Sequence, residues 1–302
     1  MKQTFIYPVS ESNQGISVEE LLLSHGYSRK LIIDLKKSPA YLTVGGKHVY
    51  VTRKLHDGDI LTVRLPEETS SENIVASDIA LDIVYEDDDL MVINKQADLP
   101  IHPSQGHYDN TLANGIAWYF AQKGEPFVYR VINRLDRDTT GLLILAKHAL
   151  SACILSDMVR NREIHRTYLA AASGDIRSVF PSGSGTIDAP IARVDGSTIE
   201  RQVDFIRGEN AQTHFQVLSY QPSTDASLVE LKLETGRTHQ IRVHLKHLGF
   251  PLFGDFLYHP DFRYIGRQSL HSWKLEFVHP ITGAPMQFQA EIPEDMKVFT
   301  EK

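Results

Sequence analysis

Cysteine is almost missing from this sequence, in which Cys153 is the single thiol. An intrachain disulfide needs two cysteines and a multi-thiolate zinc or iron–sulfur site needs several, so both are excluded. Long apolar runs are also missing, since no stretch approaches the roughly 18 to 20 residues of a membrane-spanning helix. The first residues, MKQTFIYPVS, lack the basic start and the apolar segment of a signal peptide. We therefore expect a cytoplasmic protein that does not bind a membrane.

An excess of positive charge, with which nucleic-acid-binding proteins neutralise phosphates, is missing as well, because the formal net charge is -7. The charges are segregated along the chain. Residues 1–66 contain nine basic and six acidic residues, whereas every charged residue from Glu67 to Asn94 is acidic. The net charge therefore describes the acidic segment, and it does not exclude RNA as a partner.

The first 66 residues have the pattern of a small separate unit. The sequence predicts helices over residues 18–24 and 28–35, followed by β-rich residues 49–65. This unit resembles the small α-L RNA-binding domain of a ribosomal small-subunit protein and of many RNA-modifying enzymes. A solvated basic face on a helix pair would carry the same charges. The resemblance implies that RNA is contacted by Arg29, Lys30, Lys36, Lys37, Lys47, Arg53 and Lys54.

A polar and acidic stretch follows, which predicts a linker over residues 67–78 and a second domain over residues 79–302. Residues 81–95 alternate around an acidic turn and predict a β-hairpin. Further strands are predicted over residues 142–146, 166–172 and 228–234, and helices over residues 148–163 and 238–248. Strands outnumber helices, so the predicted class is α+β, with a large, mainly antiparallel mixed sheet in the second domain.

The most polar turn of the second domain is Asn133-Arg134-Leu135-Asp136-Arg137-Asp138-Thr139-Thr140-Gly141, between the strand-like VYRVI and the apolar LLILA. Charged side chains between apolar strands are held on a rigid frame, as functional groups commonly are. An ion-paired structural turn would have the same composition. The turn alone therefore marks a candidate site without fixing its chemistry.

Four other segments accompany this turn in order: VINKQADLPIHP, HRTYLAAASG, LETGRTHQIRVHLKHLGFPLFGD and RQSLHSWKLEFVHP. Together they resemble the RluA-type family of RNA pseudouridine synthases over residues 79–293. The resemblance implies a pseudouridine synthase-like fold that converts uridine to pseudouridine in structured RNA, with Asp136 as the catalytic carboxylate. It also implies that Tyr168 is the active-site tyrosine and that Arg237, the first arginine of its motif, pairs with Asp136.

The implied reaction breaks the N1–C1′ bond, turns the uracil and joins C5 to C1′ without redox change, so we expect no cofactor. The carboxylate would either add to the sugar or remove a sugar proton, and the sequence leaves both routes open. Tyr168 would offer a flat face to the extruded base, and Arg134 would fill the space that the base leaves or hold a phosphate. Arg237 would supply the opposite charge that a buried carboxylate needs.

Three histidines near this motif, His239, His244 and His247, do not predict a metal site. Five helical residues place His239 and His244 about 140° apart, and no thiolate or carboxylate completes a tetrahedron. We expect no metal, and we expect packing, RNA-contacting or hydrogen-bonding roles for these side chains.

The sequence differs from the family pattern in two places. Asn133 stands where histidine is commonest, a difference that concerns loop support or RNA grip. Lys95-Gln96-Ala97-Asp98 stands in place of Lys-Pro-Ala-Gly. The loss of both proline and glycine predicts a less rigid turn.

Two other functions fit parts of the sequence. A catalytically silent RNA-binding or ribosome-assembly protein would use the same fold, with the basic unit as its working part. A hydrolase of the N-glycosidic bond would use Asp136 with Asp138 as partner acid, and it would release the base. The presence of Asp136, Tyr168 and Arg237 together favours the isomerase, which we expect to act as a monomer on ribosomal RNA, with transfer RNA as the alternative.

Overall fold

The computed structural model describes residues 3–300, which contain five α-helices and fifteen β-strands. None of these helices is long and apolar enough to cross a membrane. The N-terminal unit has a four-stranded antiparallel sheet in the order β1-β4-β2-β3 beside two helices. Its elements are β1 (Thr4–Pro8), α1 (Val18–Ser24), α2 (Arg29–Leu35), β2 (Leu42–Val44), β3 (Lys47–His48) and β4 (Ile60–Arg64).

Both helices of this unit begin at a serine. The Ser17 side chain accepts a hydrogen bond from Glu20 N at 3.2 Å while Glu20 accepts one from Ser17 N at 2.6 Å, which closes a capping box. Ser28 Oγ accepts a hydrogen bond from Leu31 N at 3.2 Å. The two predicted helices are confirmed. The β-rich prediction is correct only for β4. Residues 49–59 form turns with one isolated bridge, between Lys54 and Ser17, and apolar side chains such as Leu55 fill the core.

The N-terminal unit packs against the rest of the chain. Leu150 belongs to its apolar core, Ile154 packs on that core, and Cys153 Sγ lies 3.3 Å from Ser28 Oγ. The segment that joins the two parts has no helix or strand between Arg64 and Ile83. The domain boundaries at residues 66 and 78 stay a prediction that agrees with this arrangement.

The second part of the chain contains one large sheet of nine strands. Eight strands follow the order β5-β6-β7-β14-β8-β13-β12-β9, and β15 pairs with β14. Only β7 and β14 run parallel among the paired strands of residues 3–300, so the predicted α+β class with a mainly antiparallel mixed sheet is confirmed. The strands are β5 (Ile83–Glu86), β6 (Leu90–Lys95), β7 (Thr140–Ala146), β8 (His165–Ser173), β9 (Ser184–Asp188), β12 (Gln212–Gln221), β13 (Ala226–Leu233), β14 (Leu270–Val278) and β15 (Pro285–Gln289).

Helices cover both faces of this sheet. Leu143 and Leu145 of β7 face a core shared with α3 (Leu112–Gln122) and α5 (Gln240–His247), whereas Leu142 and Ile144 face α4 (Ala149–Arg160). This two-sided burial explains the continuous apolar run of β7. A separate ribbon of β10 (Ile191–Arg193) and β11 (Arg201–Val203) lies against α5. Short 3₁₀ turns occupy Glu11–Asn13, Ile176–Ser178 and Glu294–Phe299.

Gly141 fixes the approach of β7 to β14. Its φ is +106°, and a Cβ there would lie 2.2 Å from the carbonyl oxygen of Ser272 on β14. Only glycine fits this close parallel contact. The contact therefore holds the end of the polar turn, residues 133–141, at a fixed point of the sheet.

Candidate active site

Asp136 lies in a loop that neighbouring buried residues anchor to the core. Leu135 is buried in the core, and the backbone oxygen of Asp136 accepts a hydrogen bond from Thr139 N at 3.1 Å. Buried Asn133 anchors the start of the loop, because its Oδ1 accepts a hydrogen bond from Ile144 N at 2.9 Å. Asparagine thus supplies loop support at the position where histidine is commonest. The preceding VYRVI segment is not a strand, since only Val131 forms an isolated bridge, to Leu145.

Lys95 anchors the same loop through hydrogen bonds to backbone carbonyl oxygens. Its Nζ is buried and donates to three carbonyl oxygens, those of Gln96 at 2.7 Å, Leu99 at 3.0 Å and Arg137 at 2.6 Å. Burial lowers the pKa of Lys95 to about 7. Asp98 adopts φ +53°, a conformation that short polar residues tolerate where glycine would be usual. Lys95 therefore ties this turn to the Asp136 loop although proline and glycine are absent.

The partner of Asp136 is Arg242 on α5, and the predicted pairing with Arg237 is wrong. Arg242 Nη1 lies 2.9 Å from Asp136 Oδ2. The other side of its guanidinium holds Asp255 with two bonds, of 2.6 Å from Nε and 2.7 Å from Nη2. Burial opposes the charge of Arg242, but the hydrogen bonds and charges of Asp255 and Asp136 raise its pKa above the ordinary value.

Arg237 lies at the rim of the same cleft. It precedes α5 by three residues, pairs with Glu209 and donates from Nε to the Asn210 carbonyl oxygen at 3.1 Å. Helix α5 starts at Gln240, two residues later than predicted. Arg237 lies before the helix, and Arg242 is on its buried face. The signal that finds Arg242 is helical spacing, because it lies three residues before the apolar Leu245 and beside Ile241.

Tyr168 lies near the middle of β8, between Leu231 of β13 and Ser272 of β14. The residue is only 4% exposed and lines the same cleft as Asp136. No hydrogen bond joins its hydroxyl to another residue of the described chain. The structure therefore brings Asp136 and Tyr168 together, as predicted, and leaves the catalytic role of each as a prediction.

His239 is a further polar group that faces Asp136. It caps the start of α5 with φ +58°, a left-handed conformation that costs a side-chain-bearing residue about 1 kcal/mol or more. Its Nδ1 lies 2.9 Å from the hydroxyl of Tyr258, and its Nε2 lies 4.0 Å from Asp136 Oδ1. Burial lowers the pKa of His239, although the charge of Asp136 opposes this effect. The sequence reasoning assigned His239 no specific role.

These groups line an open cleft of about 940 Å³. Arg134 and Arg166 also line it, and neither forms an ion pair or hydrogen bond with the described part of the chain. Two other arginines of the cleft are neutralised locally, Arg160 by Asp157 and Arg162 by Glu234. The cleft therefore combines the Asp136 carboxylate, the locally paired Glu234, an aromatic wall and two unpaired cations, a combination that suits an anionic aromatic ligand.

The predicted RNA ligands of the N-terminal unit divide into two groups. Three of them are paired, Lys37 with Asp34 at 2.6 Å, Arg53 with Asp59 at 3.1 Å and Lys54 with Glu20 at 3.3 Å. The other four are exposed and have no acidic partner in residues 3–300: Arg29, Lys30, Lys36 and Lys47. Their contact with RNA stays a prediction.

The two histidines of α5 differ, since His247 is exposed and His244 bonds within the protein. His244 is buried, with Nδ1 2.9 Å from Thr213 Oγ1 and Nε2 2.8 Å from the Ala189 carbonyl oxygen, which confirms a hydrogen-bonding role.

Within residues 3–300, one group of three side chains has metal-ligand spacing, namely Asp87, Asp89 and His279. These side chains bond to one another and do not line the cleft.

Comparisons with known proteins agree on one family. The family described as RNA pseudouridylate synthase matches residues 89–247. The uncharacterised RNA pseudouridine synthase YjbO of Bacillus subtilis (strain 168) is 42% identical over 93% of this chain and 97% of its own length. Ribosomal large subunit pseudouridine synthase D of Zymomonas mobilis is 39% identical over 81% of this chain and 79% of its own length. The solved structure of human RNA pseudouridylate synthase domain containing 1 matches with a TM-score of 0.59 at 27% identity, over 72% of this chain and 85% of that one.

Proposed function

The chain belongs to the RNA pseudouridylate synthase family and isomerises uridine to pseudouridine in RNA, and from this premise we propose that Asp136 performs the reaction on uridine in large-subunit ribosomal RNA. The observation that carries the assignment is the ion pair of Asp136 with buried Arg242 at the wall of the cleft. One carboxylate oxygen is held at 2.9 Å while the side chain stays 26% exposed to the cleft. A carboxylate that is oriented and accessible is what either reaction route requires.

The charged and aromatic groups around Asp136 have separate roles in the proposed mechanism. The target base leaves its stack and enters the cleft, where the ring of Tyr168 supports it. Arg242 orients Asp136 and supplies its counter-charge, and Asp255 fixes Arg242 in turn. Arg134 and Arg166 hold phosphates beside the target nucleotide or fill the space that the base leaves. The N1–C1′ bond breaks, C5 joins C1′, and the proton on C5 is replaced by one on N1, so the atoms balance without a cofactor.

The choice of ribosomal RNA rests on relatives with assigned names. Large-subunit synthases D of Zymomonas mobilis and Vibrio vulnificus are 39% and 38% identical to this chain. Transfer RNA is the alternative substrate. We propose that the enzyme acts in the cytoplasm as a monomer and without a metal, with the exposed cations of the N-terminal unit as a second contact to the same RNA.

Mapping pseudouridine in total RNA from cells with and without this protein tests the proposed substrate. We expect at least one position of large-subunit ribosomal RNA to lose pseudouridine when the protein is absent and to regain it when the wild-type gene is restored. Loss of a modification in transfer RNA alone would identify the other substrate. Unchanged maps would favour a catalytically silent RNA-binding protein. Loss of the base from RNA on which the protein has acted, detected as a lower RNA mass, would indicate a hydrolase.

A further inference from the structure

The two carboxylate oxygens of Asp136 differ in their hydrogen bonds. Oδ2 accepts from Arg242 Nη1, whereas Oδ1 accepts no hydrogen bond from residues 3–300. His239 Nε2 lies 4.0 Å from this oxygen. This distance is too long for a direct hydrogen bond. A gap of this size between two polar atoms calls for a bridging group.

The bond between His239 and Tyr258 determines which imidazole nitrogen carries the proton. The Tyr258 oxygen already accepts a hydrogen bond from Arg201 N at 2.9 Å, and its own proton needs an acceptor. His239 Nδ1, at 2.9 Å, is the acceptor that the described residues offer. Burial raises the pKa of Tyr258 to about 12, so the hydroxyl keeps its proton. Nδ1 therefore accepts and the imidazole proton is on Nε2, which faces Asp136.

The group that fits the gap must accept from Nε2–H and donate to Oδ1. A single oxygen about 2.8 Å from each atom spans 4.0 Å with an angle near 90° at that oxygen. The oxygens of uracil only accept and its N3–H only donates. In an internal nucleotide the 3′ and 5′ oxygens are esterified, so the ribose 2′-hydroxyl is the one group that both accepts and donates. It is attached to C2′, next to the reacting C1′.

We propose that His239 is a specificity residue that binds the 2′-hydroxyl of the target nucleotide, with this hydroxyl bridging His239 Nε2 and Asp136 Oδ1. This inference rests on the proposed role of Asp136. It makes the enzyme distinguish a ribonucleotide from a deoxyribonucleotide at the target position itself, since the 2′-hydroxyl is the group by which proteins tell RNA from DNA. Tyr258 takes part as the residue that orients the imidazole.

A double-mutant cycle tests the proposal, with one substitution in the protein and one in the substrate. His239→Gly removes the imidazole and keeps the left-handed backbone, which glycine adopts without strain. The substrate is an RNA oligonucleotide that carries either uridine or 2′-deoxyuridine at the target and ribonucleotides elsewhere. We expect the deoxy substitution to slow single-turnover product formation by the wild type about tenfold, the value of one or two hydrogen bonds. His239→Gly should lose less than about threefold on the same substitution, because the contact is already gone.

The matched control is His247→Gly, at an exposed position near the end of the same helix and outside the cleft. It should show the wild-type penalty for the deoxy substrate. Equal penalties in the wild type and His239→Gly would overturn the proposal, because the hydroxyl would then be bound by another group or by water. Pseudouridine formation by the wild type on the ribo substrate reports on the proposed function separately.

A second variant keeps the test decisive if thermal melting shows that His239→Gly is unfolded. Tyr258→Phe retains the imidazole and removes only the hydroxyl that orients it. A deoxy penalty that falls below about threefold in this variant supports the proposal, and a penalty that stays near tenfold overturns it.

Discussion

Arg242 is a full positive charge whose side chain is 1% exposed, and its three hydrogen bonds to Asp136 and Asp255 offset the cost of burying it. The planar guanidinium reaches both carboxylates at once. An ammonium group has the same charge and lacks this fork. The geometry of the pair, more than its charge, therefore sets the position of Asp136.

Substitution of Arg242 by lysine tests this reading. We expect single-turnover rates on a cognate RNA to fall at least tenfold, because Asp136 loses its directed contact or Asp255 does. Stability should fall by about 1–3 kcal/mol, the cost of unsatisfied buried acceptors, as measured by urea unfolding. Arg237→Lys is the comparison, since Arg237 bonds to Glu209 at the cleft rim. A larger rate loss in Arg237→Lys than in Arg242→Lys would contradict the assignment.

The sequence could locate Asp136 and Tyr168 because both stand in the extended segments that carry the family resemblance. It could not choose between Arg237 and Arg242, which stand five residues apart in the same motif. The predicted and the observed helix both place Arg237 before α5 and Arg242 within it. The choice therefore depends on how α5 packs against the Asp136 loop, which is a tertiary contact. The gap between His239 and Asp136 is a tertiary distance that no local pattern contains.

At the scale of elements, the contact between β7 and β14 positions the loop that contains Asp136. Gly141→Ala should destabilise the protein by several kcal/mol in urea unfolding, because its Cβ would lie 2.2 Å from the Ser272 carbonyl oxygen and its φ is +106°. Gly124→Ala separates the effect of the positive φ from the effect of the close contact. Gly124 also has a positive φ, of +69°, but a Cβ there meets nothing within 4 Å. Gly124→Ala should lower the free energy of unfolding by about 1–2 kcal/mol. Equal losses in the two variants would show that the close contact is not what requires glycine.

Elements stabilised by local signals were predicted well. Helices α1, α2 and α4 have serine or histidine caps and regular apolar spacing, and each was placed within a few residues. Helix α3 was missed: it contains Gly115, which allows close packing on Ile79 and Leu81. The parallel pairing of β7 with β14 joins residues about 130 positions apart, and sequence periodicity carries no information on such a partner.

The described part of the molecule has two groups of cations without an acidic partner, Arg134 and Arg166 in the cleft and the four exposed cations of the N-terminal unit. The formal charge of -7 conceals them because the acidic residues cluster in the segment between Glu67 and Asn94. The N-terminal unit packs on α4, whose last residue, Arg160, lines the cleft. Helix α4 therefore connects the N-terminal unit to the cleft.

Charge neutralisation tests the N-terminal surface. A variant with glutamine at the four unpaired positions, Arg29, Lys30, Lys36 and Lys47, should bind RNA more weakly at low salt. The slope of log affinity against log salt should become shallower by about 3, since fewer counterions are released. A control variant with glutamine at the paired positions, Lys37, Arg53 and Lys54, should change the slope by about 1 or less, because these charges are already neutralised. An unchanged slope in the first variant would exclude this surface as an RNA contact.

The most direct measurement of the central claim is pseudouridine formation by Asp136→Asn on the RNA that the wild type modifies. Asparagine preserves shape and one hydrogen-bond acceptor for Arg242, but it can neither add to the sugar as an anion nor remove a sugar proton. RNA affinity and thermal melting, measured in parallel, should stay close to wild type. The account predicts no product above background in single-turnover assays with excess enzyme. Product formed by folded Asp136→Asn at more than a trace of the wild-type rate would contradict it.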